Sequence, residues 1–224
     1  MRAASLVLLA VCLASGCGRS EPYRIPDAGA KPPAARPRSW ATGDLPLDLT
    51  RSKLSLTIVK DRDTATPVNA TLSFRDGSVS LHGPAPSARL TIDIDSFDSM
   101  VPIRNERVRK IFFETFSSGW DSAELVVSSV SPEIVPSLQK SGRISHAKIE
   151  GKVTLHGKSA AVVIDADITY DAAGRLSVKS SVPVVVKVSD FGLTDNLGKL
   201  ATVCLHNSID DVVIVDVTLE FGTL

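Results

Sequence analysis

The sequence predicts an all-β fold, an antiparallel eight-stranded barrel with one short helical segment near residues 103–116. Apolar and polar residues alternate in short runs from Arg51 onward, as in strands that are buried on one face. Gly, Asp and Pro separate the runs, which is typical of antiparallel hairpins. About eight or nine such strands favour a barrel or a sandwich, and eight strands leave room inside for side chains or one slender ligand.

Each predicted strand is a run with apolar residues at every second position. The runs are residues 54–58, 68–74, 79–81, 90–94, 123–127, 144–155, 160–170, 176–188 and 213–221. A tight turn is predicted at 75–77, and a Pro-bearing loop is predicted between 132 and 142. Pro183 indicates a bulge or an edge, and Gly151 in the middle of its strand indicates a bend.

The segment 103–116 is the only predicted interruption with a helical period. Val108, Ile111, Phe112 and Phe116 share one helical face, and basic residues occupy much of the remainder. We expect this segment to cap the barrel near its opening.

The first 17 residues predict a secretory signal peptide. Arg2 is followed by a short apolar run and by Ala14-Ser15-Gly16 directly before Cys17, which resembles a bacterial lipobox. Cys17 would then carry acyl chains and attach the protein to a membrane, and Gly18 favours the outer membrane, facing the periplasm. A plain cleaved signal with a coincidental cysteine is the alternative. Residues 18–49 predict a Pro/Ala-rich disordered tether, and residues 50–224 the barrel domain.

Composition and motifs argue against several functions. The 25 basic and 25 acidic residues balance, so nothing favours nucleic acid binding. The four histidines are isolated in sequence, and Cys204 is expected to be a small core residue, so no metal is predicted. No phosphate loop, dinucleotide motif or nucleophile elbow is present, and we expect neither an enzyme nor a cofactor.

Several motifs, in order along the chain, resemble the YceI-like family of periplasmic, lipocalin-like, polyisoprenoid-binding proteins. They are Ser96-Phe97-Asp98-Ser99 with the arginine-rich 104–109, Phe112-Phe113-Glu114, residues 151–158, Ser189-Asp190-Phe191-Gly192-Leu193, and the closing strand 211–220. The chain departs from the family pattern at Asn105, where Asp is usual, at Lys187-Val188, and near Trp120, where a proline is missing.

The resemblance implies a barrel that binds a long apolar lipid, such as an isoprenoid quinone or a polyprenyl lipid. The residues implied to contact this ligand are Leu90, Ile92, Phe112, Phe113, Phe116, Leu125, Val153, Leu155 and Phe191. Arg104, Arg107 and Arg109 would meet a headgroup or a protein partner at the mouth. Two alternatives stay open: the apolar residues fill a packed core, and the basic face is a solvated helix surface. A filled barrel would act as an interaction module, binding a partner through residues 104–110. A homodimer is also possible.

Overall fold

A computed structural model of the protein describes residues 43–82, 86–131 and 133–222, and these residues form an antiparallel β-barrel. The strands are β1 (Asp44–Pro46), β2 (Lys53–Lys60), β3 (Asp63–Ser80), β4 (Ser87–Asp98), β5 (Ser122–Val130), β6 (Arg143–Leu155), β7 (Lys158–Tyr170), β8 (Leu176–Ser180), β9 (Val184–Lys187) and β10 (Ile209–Phe221).

Eight strands close the barrel. They follow the order β3-β2-β10-β8-β7-β6-β5-β4, and β4 pairs back onto β3. Every pairing is antiparallel, and β9 continues the course of β8 along β10 after a break at residues 181–183 around Pro183. The predicted antiparallel eight-stranded barrel is confirmed.

The predicted helical segment consists of three short pieces. They are α1 (Pro102–Arg107), a π-helical turn (Val108–Phe112) and α2 (Thr115–Ser118). The amide of Phe113 bonds to the carbonyl of Val108 at 3.0 Å, which is the wider i to i+5 spacing of a π turn. Glu114 then adopts a left-handed conformation (φ 54°), which ends this turn before α2 begins.

Two longer helices, α3 (Ile134–Ser141) and α4 (Thr194–Val203), lie in segments without a predicted helix, and a 3₁₀ turn (Val188–Phe191) precedes α4. The prediction of a Pro-bearing loop at 132–142 is wrong over α3. Pro136 falls in the first turn of α3, where no intrahelical bond needs its amide, so the proline does not break the helix.

The turn predicted at residues 75–77 is also wrong, because β3 continues through it. The register with β4 shifts between Phe74 and Asp76, so the extra residue forms a β-bulge instead of a turn. Gly77 is required here for space: a Cβ would lie 2.5 Å from Leu90 Cδ2.

The folded domain begins before residue 50. β1 pairs with Ser78–Ser80 of β3, and Leu45 and Leu47 are buried in the core. Residues 44–47 therefore belong to the barrel and not to the tether. The predicted signal peptide, Cys17 and the tether up to residue 42 lie outside the described residues. In the described part of the chain, no helix is long and apolar enough to cross a membrane.

Candidate functional site

A cavity of about 230 Å³ occupies the barrel lumen. Its walls are the inward-facing apolar residues of the strands, together with side chains from the π turn and α4. The lining includes Leu54 and Leu56 of β2, Ile92 of β4, Val162 of β7 and Val213 of β10. A cavity with such walls excludes ions and polar solutes and suits an apolar molecule.

A second cavity, of about 70 Å³, lies at the other end of the lumen beneath α3. Ile134 and Leu138 of α3 close it at this end of the barrel. Leu125, Ile164 and Val217 line both cavities, so their buried side chains form a partition between them.

Gly151 makes room for this partition. It occupies an inward-facing position of β6, and a Cβ there would lie 3.2 Å from Leu125 Cδ1 and 2.9 Å from the carbonyl oxygen of Val126. The missing side chain lets Leu125 pack close to β6. The mid-strand glycine thus serves packing inside the lumen.

The large cavity reaches the surface at the end opposite α3. Its polar lining residues, Lys60, Arg104, His206 and Asp210, are all half-exposed and come from three segments: the end of β2, α1, and the start of β10 with its preceding loop. We call this opening the mouth. An apolar chain inside the lumen would therefore place its polar end among these side chains.

Asp61 ties two of these segments together. This residue of the β2–β3 hairpin accepts hydrogen bonds from the amides of Asn207 (2.6 Å) and Ser208 (3.2 Å), and its other oxygen contacts His206 Nδ1 at 2.9 Å. These bonds, above all that from Ser208, lower the pKa of the Asp61 carboxyl.

Acid is expected to loosen this side of the mouth. Because the pKa of Asp61 is lower in the folded protein than in the unfolded chain, its contribution to stability is complete above the unfolded pKa. That contribution is lost as the pH falls through the lower folded value.

Asp61→Ala should produce the same loosening at neutral pH, seen as faster amide hydrogen exchange at Asn207 and Ser208.

Asp63→Ala is the matched control for this prediction. Asp63 lies in the same hairpin, and hydrogen bonds from Thr66 and Ala65 also lower the pKa of its carboxyl. Among the described residues, however, its carboxylate receives no hydrogen bond from the 206–208 loop. Equal acceleration of exchange at Asn207 in both variants would contradict the role assigned to Asp61.

The other side of the mouth is held by α1 and the π turn. Asn105 accepts bonds from the amide and hydroxyl of Ser99 at 2.8 and 2.7 Å and donates its own amide to Asp98 at 2.8 Å. The Asn105 amide can donate this bond at neutral pH, whereas the ionised Asp that is usual in the family could not. Asn196 of α4 donates to the carbonyl of Phe112 at 3.1 Å and so fixes α4 against the π turn.

Six of the predicted ligand residues line the large cavity: Ile92, Phe112, Phe113, Leu125, Val153 and Leu155. Leu90 is fully buried and borders the small cavity. Phe191 is buried beside Val188 and Leu193 and lines neither cavity. Phe116 is 72% exposed and also lines neither. The structure thus places neither Phe116 nor Phe191 on a cavity wall, and contact of any of these residues with a ligand stays a prediction.

The three predicted arginines have different surroundings. Arg104 lines the mouth. Arg107 places a guanidinium nitrogen 3.9 Å from the thiol sulfur of Cys204, which itself lines the cavity. Arg109 turns toward β4, where it donates to the carbonyl of Asp95 at 2.9 Å, and its buried Nε has no hydrogen-bond partner among the described residues. Arg104 and Arg107 are therefore closer to the lumen than Arg109.

The cavity-lining residues of α4 and its two ends were not among the ligand contacts predicted from the sequence. Leu193, Leu197, Leu200 and Cys204 all face the cavity, and their spacings of four, three and four residues follow a helical period. That period is visible in the sequence and could have identified both α4 and its inward face.

Other polar clusters lie outside the lumen. His156 Nε2 contacts a carboxylate oxygen of Glu114 at 3.1 Å, and its ring lies 4.7 Å from that of Trp120. In the part of the chain that the structure describes, no group of three or more His, Cys, Asp or Glu residues is placed to hold a metal ion.

A closed antiparallel barrel with an apolar lumen, open at one end and covered by a helix at the other, belongs to the lipocalin-like class of folds. The YceI-like domain family matches residues 46–221, and the chain belongs to this family.

Solved structures agree with this fold. A polyisoprenoid binding domain from Saccharophagus degradans, described as implicated in plant cell wall breakdown, is 24% identical with a TM-score of 0.65, over 80% of this chain and 98% of that one. BcnA of Burkholderia cenocepacia is 23% identical with a TM-score of 0.56, over 78% and 98%. The YceI protein of Campylobacter jejuni is 19% identical with a TM-score of 0.50, over 72% and 89%. No curated protein matches the chain.

Proposed function

We propose that the barrel binds one long apolar lipid, with its hydrocarbon chain in the large cavity and its polar end at the mouth. The single observation that carries this proposal is the distribution of polarity along the lumen. Apolar side chains line the inner part, whereas Lys60, Arg104, His206 and Asp210 lie together at the opening. Burial of hydrocarbon contributes roughly 25 cal/mol per Å², so a chain enclosed on all sides is held without polar contacts.

An isoprenoid lipid is the ligand class that we propose. The similar domain from Saccharophagus degradans is described as polyisoprenoid binding, and the family match extends over the whole barrel. Both an isoprenoid quinone and a polyprenyl lipid have a long branched hydrocarbon chain and one polar end. The Arg104 guanidinium could donate hydrogen bonds either to a quinone carbonyl or to a phosphate.

The proposed role is carriage, storage or sensing of this lipid in the bacterial envelope, without catalysis. Acylation of Cys17 would attach the protein to a membrane, with the outer membrane facing the periplasm as the proposed location, and residues 18–43 would connect the anchor to the barrel. The alternative is a filled barrel that binds an envelope protein through the basic residues 104–110. The large cavity favours the lipid, since a filled barrel would have side chains in that space.

Native mass spectrometry of the full chain purified without detergent tests the proposal. We expect one bound lipid per chain, which organic extraction removes and which an isoprenoid lipid replaces. A protein that never retains an apolar molecule and does not take up an isoprenoid quinone or a polyprenyl phosphate would overturn it.

A further inference from the structure

Several large apolar side chains near the mouth are exposed to solvent. Met100 is 83% exposed and Leu205 is 93% exposed, and Val101, Ile103 and Val203 are also exposed. We call these five residues the rim. Isolated exposed apolar residues are common on protein surfaces, so their position relative to the cavity decides their meaning.

All five rim residues lie within four residues of Arg104 or His206 in the sequence, and both of these line the mouth. Ile103 directly precedes Arg104, and Leu205 stands between Cys204 and His206. The two segments meet where Arg107 approaches the thiol of Cys204 at 3.9 Å. The rim therefore consists of apolar tips on two adjacent segments at the opening of the cavity.

The most exposed of these tips have an unusual backbone conformation. Met100 and Leu205 both lie in the left-handed region, with φ of 59° and 57°, which costs residues other than glycine roughly 1–2 kcal/mol. Hydrogen bonds from the amide of Met100 to Asp98 Oδ1 (2.8 Å) and from that of Leu205 to the carbonyl of Thr202 (3.2 Å) hold these conformations. Leu205 adopts this conformation at the C-terminus of α4, where its bond and that from the amide of His206 to the carbonyl of Ala201 (3.0 Å) form a Schellman motif. At both positions the backbone leaves a large apolar side chain in water, where it adds nothing to the core.

Two arginines accompany the exposed apolar side chains. Neither Arg104 nor Arg107 forms an ion pair with a carboxylate among the described residues. Among the nearby carboxylates, Glu106 is exposed on the same helix, Asp61 is engaged by the 206–208 loop, and Asp210 lines the mouth with Lys60. This arrangement is complementary to a bilayer surface. The apolar side chains could enter the hydrocarbon, and the guanidinium groups would then lie level with the lipid phosphates just outside it.

We propose that the rim inserts into a membrane surface, so that the mouth opens onto the hydrocarbon of the bilayer. Separate protruding side chains can each insert between lipids, and the arginines between them can bind phosphate groups. A lipid could then move between the bilayer and the lumen without its chain crossing water. The identity of the transferred lipid rests on the proposed function, but insertion of the rim into a membrane does not.

The tether is long enough to allow this orientation. β1 enters the fold beside Ser78–Ser80, at the far end of β3 from the mouth, and the 18 residues of β3 span about 59 Å at roughly 3.3 Å each. The 26 residues from 18 to 43 would span about 86 Å if fully extended at roughly 3.3 Å per residue. A chain anchored at Cys17 can therefore turn its mouth toward the same membrane.

Tryptophan fluorescence tests the docking on the full chain bound to vesicles of phosphatidylethanolamine and phosphatidylglycerol. We expect lipids brominated in their acyl chains to quench most of the fluorescence that Leu205→Trp adds to the parent protein. Val163→Trp is the matched control, because Val163 is a 56% exposed apolar residue on the outer wall of β7, and its added fluorescence should not be quenched. Equal quenching at both positions, or none at position 205, would overturn the proposal.

A second variant separates docking from cargo binding. Met100→Ser with Leu205→Ser should slow transfer of an isoprenoid quinone between vesicles by about tenfold or more, since two inserting side chains are lost. The quinone already bound should remain bound, because neither residue lines the cavity. Transfer at the parental rate would contradict docking, and so would capture of a protein partner that depends on the same two residues. If the Leu205→Trp fluorescence is quenched by the vesicles yet the parent protein never retains a lipid, the proposed function fails and the docking stands.

Discussion

Replacing Val162 with Trp is expected to abolish retention of the lipid. Val162 is half-buried on β7 and lines the large cavity, so an indole at this position would occupy the lumen. If the indole displaces about 100 Å² of buried hydrocarbon contact, the ligand loses about 2.5 kcal/mol, or about 60-fold in affinity. Native mass spectrometry and titration with an isoprenoid quinone would measure the loss.

Val163→Trp is the control for this variant. Val163 is the next residue along β7 and points outward, so the same side chain at this position adds nothing to the lumen. We expect it to retain the lipid and to unfold at nearly the parental temperature. If both variants keep the lipid, the ligand does not occupy the large cavity.

Replacing Leu125 with Ala is expected to have two effects. Removal of this buried side chain should lower the free energy of unfolding by about 2–5 kcal/mol, as other Leu to Ala changes in protein cores do. It should also join the two cavities, because Leu125 is one of three residues that separate them. The lipids that copurify should then shift to longer chains, and mass spectrometry of the extracted lipid would show the shift.

Leu90→Ala separates these two effects. Leu90 is as deeply buried as Leu125 but lines only the small cavity, so its loss should destabilise the barrel to a similar degree without joining the cavities. Longer lipids in both variants would indicate a general loosening of the barrel. Unchanged lipids in both would show that the partition does not limit chain length.

The strand pattern was predictable because a half-buried strand imposes a period of two on its own residues. The apolar faces of β6, β7 and β10 could therefore be identified without knowing what they pack against. The same local reasoning failed at Gly77, where glycine after Asp suggested a turn. In the barrel this glycine instead provides space for Leu90, a residue of the neighbouring strand. A contact between neighbouring strands depends on how the strands pair, so the sequence of one strand alone does not predict it.

In the candidate site, too, residues within strands were predictable and contacts between distant segments were not. Ile92, Leu125 and Val153 were predicted as ligand contacts, and they lie on the cavity wall because their strands bury that face. Phe116 and Phe191 were predicted with them. The break after the π turn leaves Phe116 exposed, and Phe191, the last residue of the 3₁₀ turn, is buried against Val188 and Leu193. Lys60, His206 and Asp210 were not predicted, because they meet only where a hairpin and the loop before β10 come together.

The sequence by itself determined the fold class, the positions of most strands along the chain and the apolar character of their inner faces, since each follows from the alternation of residues within a strand. Only the tertiary structure decided which end of the barrel is open, where Leu125 and its neighbours divide the lumen, and which arginines reach the mouth. Those features come from residues far apart in the chain, such as Lys60, Arg104 and His206, and closure of the barrel sets the distances between them.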